Sequence, residues 1–136
     1  MYKCKSPKVV YNPYQILPSF GENEIETSYI DSNLLLKITF DDAKTGQEDS
    51  LEIEFEHAVF FKVASCPGID GMDIEYEYGD KLSSLIEFTD SEFKIEWEKH
   101  FNNLYKLHHY KILFLSANKS LEVVSEGFRI IGGSVS

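Results

Sequence analysis

Apolar and polar residues alternate with a period of two through most of this chain, so the pattern predicts strand after strand. The clearest case is residues 51–56, where Leu51, Ile53 and Phe55 alternate with Glu52, Glu54 and Glu56. Side chains two apart on a strand share a face, so this segment buries one side and wets the other, as antiparallel sheets do. Val59, Phe61 and Val63 continue the same phase. A run over 51–63 is long for one strand, and a bulge or bend is expected near His57-Ala58. Upstream, 24–30 and 34–40 flank Asp31-Ser32-Asn33, a hairpin turn, with Leu34, Leu36, Ile38 and Phe40 on one face. Residues 8–11 and 14–17 are short apolar pieces interrupted by Asn12-Pro13 and closed by Pro18, which marks edge or loop material.

Downstream, Ser65-Cys66-Pro67-Gly68 turns the chain. Ile74, Tyr76 and Tyr78 then alternate with Glu75 and Glu77, and 82–88 reads as a further strand. Residues 110–115 and 121–125 flank a hairpin loop, 128–131 form a last strand, and 132–136 read as a frayed tail. One segment has a different period. Phe93, Trp97, Phe101 and Leu104 recur at helical spacing, preceded by Thr89-Asp90-Ser91-Glu92, which has the T-x-x-E form of a capping box. This predicts one short helix over about 91–102, with Trp97 buried against a sheet. The whole is expected to be mainly β: an antiparallel β-sandwich, or a partly open barrel, with one short helix.

The chain has 136 residues, 43% of them hydrophobic. It reads as a single domain over 1–136 with enough core material to fold without disulfides or metal. Cys4 and Cys66 form no disulfide framework and no CxxC motif, so two free thiols in a reducing cytosol are expected. The amino-terminal residues lack the apolar run of a secretory signal, and runs such as 34–36 and 58–61 are too short for a bilayer. A cytoplasmic location is the expectation.

Charge changes the functional picture. The net charge of −10 is concentrated in residues 22–98, which carry −16, while 1–21 and 99–136 carry +3 each. Such a block disfavours nucleic acid and anionic membrane and favours a cationic protein partner. The candidate contact residues are Glu52, Glu54 and Glu56 on one strand and Glu75 and Glu77 on another, with Glu22, Glu24 and Glu26 alternating before the first hairpin. Residues on one face of a strand repeat about every 7 Å, so neighbouring strands of this kind make a dense carboxylate patch.

Catalytic chemistry has little support. The acids alternate with core residues and so stand outside the core, where a raised carboxylate pKa does not arise. No G-x-S-x-G, HExxH or glycine-rich phosphate loop occurs. The acidic loop 41–50 lacks the D-x-[DN]-x-[DN]-G calcium pattern, and adjacent His108 and His109 point to opposite faces of a strand. No enzyme, no cofactor and no metal are expected.

Thr89-Asp90-Ser91-Glu92-Phe93 with Trp97, then 109–114, then 121–125, together resemble a pattern in small bacterial proteins similar to immunity proteins of toxin systems. The resemblance covers 89–131. It implies a small β-rich cytoplasmic protein that binds and blocks one toxin domain, and it transfers no functional residue. A basic toxin domain, such as a nuclease, fits the charge map. The alternative is an accessory or structural β-sandwich that self-associates through a strand edge.

Overall fold

The computed structural model describes residues 4–17, 21–65, 84–114, 117 and 119–133. Among these residues are nine strands, β1 (Cys4–Tyr11), β2 (Glu24–Ile30), β3 (Asn33–Asp41), β4 (Glu48–Glu56), β5 (Phe60–Ser65), β6 (Leu85–Ser91), β7 (His108–Phe114), β8 (Lys119–Ser125) and β9 (Gly127–Gly133), with one helix, α1 (Glu92–His100), and a 3-10 turn at Pro13–Gln15. They form two antiparallel sheets, β1-β6-β7-β8-β5 and β2-β3-β4-β9. Among the described residues the sheets do not close into a barrel, and the arrangement agrees with the expected sandwich.

The period-two pattern supplies the core between the layers. Leu34, Leu36, Ile38 and Phe40 of β3 and Leu51, Ile53 and Phe55 of β4 face Tyr110, Ile112 and Phe114 of β7 and Leu121 and Val123 of β8. Each such side chain, taken wholly out of water, contributes about 1.5–3 kcal/mol. The first hairpin turns at Asp31 and Ser32, both at positive φ (52° and 69°), as a two-residue loop needs if its twist is to match the strands.

The bend expected near His57-Ala58 is a change of layer. β4 leaves the four-stranded sheet at Glu56, His57 takes φ 47°, and β5 begins in the other sheet at Phe60. The turn of the first hairpin braces this crossing: Ala58 N–H donates to Ser32 O at 2.7 Å and His57 N–H to Asn33 Oδ1 at 2.9 Å. The phase expected through Val63 survives the crossing, but the burial does not. Phe61 and Val63 lie opposite Val123 and Leu121, yet they are 38% and 41% exposed because β5 ends the order of its sheet.

Five other expectations are revised. The residues 8–11 belong to a longer strand, β1, which is an edge strand and so accommodates Pro7. The polar loop shrinks to 42–47, because β3 runs through Asp41 and β4 starts at Glu48. Thr89 does not cap the helix: its hydroxyl donates to Ser6 O, and Ser91 is the N-cap, accepting Lys94 N–H at 3.1 Å. Leu104 lies beyond the helix end, past Asn102 and Asn103 at positive φ, and is 75% exposed, so it is not part of the packed face. Phe93, Trp97 and Phe101 are half-buried on that face. Residues 74–78 lie outside the described residues, as does Cys66. The tail expected at 132–136 is shortened by β9, which extends to Gly133.

A second, smaller apolar cluster lies on the outer side of the five-stranded sheet, where Ile86, Phe88 and Leu113 pack with Cys4. The helix lies on that side too, through Phe93 against Phe60 and His109.

Candidate functional site

The sheet order decides which carboxylates meet. Because Ile25, Ile38 and Leu51 point inward in register, Glu24 and Glu26 of β2 and Glu52, Glu54 and Glu56 of β4 share the outer face of the four-stranded sheet, with β3 between them. Lys37 of β3 sits in one row with Glu26 and Glu52. Arg129 of β9 pairs with Glu54, its Nε and Nη2 each 2.7 Å from Oε1. Two basic residues thus moderate the acidic face, and one of them, Arg129, holds the Glu54 side chain. Glu22 does not join it: it is buried, and its Oε1 accepts Ala117 N–H at 3.1 Å. Glu75 and Glu77 lie outside the described residues.

The acidic loop is closed upon itself. Asp42 Oδ1 accepts N–H groups from Lys44 and Thr45, and Gly46, at φ 69°, donates to Asp42 O. Among the described residues no three His, Cys, Asp or Glu side chains converge as a metal-binding group. The two adjacent histidines do face opposite ways, and each takes a glutamate: His108 Nδ1 lies 2.6 Å from Glu87 Oε2, and His109 Nε2 lies 2.6 Å from Glu122 Oε2.

His109 belongs to an arrangement that the sequence did not reveal. Its Nδ1 is 2.8 Å from Ser91 Oγ, so Ser91, His109 and Glu122 form a hydrogen-bonded line across the outer side of the five-stranded sheet. The hydrogen bond from His109 holds the Glu122 carboxyl below its ordinary range, against the upward push of burial and with help from the charges of His109, Lys111 and Lys62. A carboxylate only accepts, so Nε2 carries a proton in this contact. These are the residue types of an acyl-transfer triad. The hydroxyl, however, is committed to the cap, and Ser91 and His109 are 2% and 0% exposed. A nucleophile must reach a substrate carbonyl; this one ties the helix to the sheet. Cys4 Sγ stands 3.8 Å from the same hydroxyl, and burial pushes its thiol up, away from the reactive thiolate.

Along α1, Phe93, Glu96, Trp97 and His100 line a groove of about 310 Å³. Beyond it the rings continue through Phe101 and Tyr105 to His57, with centroids 5.5 Å and 4.4 Å apart at the last two steps. The helical period that predicted the face also places these rings, but sequence alone did not show that the face is only half covered.

Comparison with family models, curated proteins and solved structures gives no match. Among the described residues no helix is long and apolar enough to cross a membrane.

Proposed function

We propose that this chain is a non-enzymatic protein-binding module that receives a cationic protein on the outer face of its four-stranded sheet. In its most concrete form the partner is a basic toxin domain, such as a nuclease, and the chain is a cytoplasmic immunity protein that neutralises it. The observation carrying this reading is the registry that puts Glu24, Glu26, Glu52, Glu54 and Glu56 on one face. Like charges on neighbouring strands repel, and a partner supplying Lys and Arg relieves that repulsion. The field of a chain with net charge −10 also steers such a partner inward.

The test is a pull-down from the native lysate at low salt, repeated at high salt, with mass spectrometry of what is retained. The expected result is one basic protein released by salt, and lost when Glu52→Lys is combined with Glu54→Lys. Retention unchanged by that double substitution overturns the assigned face.

A second reading is self-association, favoured by one observation. Tyr29 of β2 stacks on Phe61 of β5 with centroids 5.4 Å apart, and both remain exposed beside Ile30 and Val63. A molecular size that rises with concentration, and falls back with Ile30→Lys, supports this reading.

A further inference from the structure

We propose that the groove on α1 binds an organic cation with a quaternary ammonium head, caged by Phe93, Trp97 and His100, with Glu96 as counter-charge. This site lies on the opposite layer from the acidic sheet face and does not rest on that reading.

Positions 93, 97 and 100 fall on one helical face, which brings three rings together. Trp97 stands at 87° to Phe93, with centroids 6.3 Å apart, and at 75° to His100, 5.7 Å apart. Rings set nearly at right angles make the walls of a corner instead of a closed stack. Each aromatic face carries negative charge density, and a cation seated over it is attracted. Glu96 adds a carboxylate at the lining, paired with Lys99 at 3.6 Å across well-exposed side chains, a pairing that solvent screens. The groove volume of about 310 Å³ is at the lower end of small-ligand sites and suits one compact head group.

The scarcity of acceptors selects the kind of cation. A lysine ammonium brings three N–H donors and a guanidinium five, all wanting partners once out of water. Among the described residues the lining offers only Glu96 and the His100 ring. A methylated ammonium has no N–H to satisfy and presents its spread charge to the rings directly.

Trp97 is the only tryptophan, so its fluorescence reads the cage itself. The full chain is titrated with choline chloride, with sodium chloride at equal ionic strength, with uncharged 3,3-dimethylbutanol, and with arginine amide. The trimethylammonium proton resonance is followed in parallel. The expected result is a saturable response to choline, about tenfold tighter than to the uncharged isostere and tighter than to arginine amide. Glu96→Gln, a change at an exposed position, weakens it several-fold, and Phe93→Leu weakens it while leaving the indole signal in place. No saturable response in either readout overturns the proposal, as does equal binding of choline and its isostere, or tighter binding of arginine amide. The Glu52→Lys, Glu54→Lys double variant titrates like the parent, so failure here and failure of the sheet-face reading are told apart.

Discussion

A half-buried carboxyl and a buried phenol give this protein opposite responses to acid and alkali. Glu122 is held below its ordinary value of 4.5, chiefly by the hydrogen bond from His109. A depressed folded value means that its contribution is fully present above 4.5 and is lost as pH falls through the lower folded value. Urea denaturation across the acid range is expected to show that loss, and Glu122→Gln to flatten it. Tyr110 is displaced upward, first by burial and then by the charges of Glu87 and Glu56. Its phenol keeps its proton in the folded chain above pH 10, where the unfolded chain releases it. Stability is therefore full below 10 and falls as pH rises beyond it, and Tyr110→Phe removes this alkaline decline. Ser91 serves two partners at once. Ser91→Ala leaves both Lys94 N–H and His109 Nδ1 without it, and a loss of about 1–3 kcal/mol is expected by denaturant unfolding.

Among the elements, those whose burial follows from local alternation were legible before the structure. The strands expected at 24–30, 34–40, 110–115 and 121–125 and the first half of the run 51–63 fall on β2, β3, β7, β8 and β4, with 115 outside the described residues, because one side of each meets the core. What local pattern does not encode is the neighbour. Phe61 and Val63 have core-type side chains but sit on the strand that ends its sheet order, so they stay exposed. Ser91, His109 and Glu122 are separated along the chain and meet only because the helix starts where β6 stops and β7 pairs with β8. The acidic positions were legible as a set; their common face needed the strand order. Trp97 was expected to be fully buried, where removal costs about 3–5 kcal/mol; half-buried, Trp97→Ala is expected to cost about 2 kcal/mol by thermal unfolding. The Asp31-Ser32 turn holds two non-glycine residues at positive φ. Ser32→Gly creates the Asp-Gly pair that such turns favour and is expected to add about 0.5–1 kcal/mol in the same measurement.

For the molecule as a whole, the two outer surfaces have different characters. One is an open sheet face of carboxylates with Lys37 and Arg129 among them; the other is roofed by a helix and its rings. Glu52→Lys with Glu54→Lys inverts the first surface at positions outside the core. It breaks the Arg129 pair, an exposed contact of about 0–1 kcal/mol, so the fold is expected to survive by circular dichroism while binding falls several-fold or more. Unfolding of that variant would show that the sheet face is structural and not a docking surface.

Two of the passages between the layers, at 57–59 and at 126, are bonded to the strands beside them. Val59 N–H donates to Val124 O at 2.9 Å and Glu126 N–H to Glu56 O at 2.9 Å, next to the Ala58–Ser32 bond. Each passage is therefore stitched to the strand from which the other departs or arrives. In heavy water the amide protons of Ala58, Val59 and Glu126 will exchange as slowly as those of Ile53 and Val123 at the centre of the sheets, recording one shared opening of the whole fold.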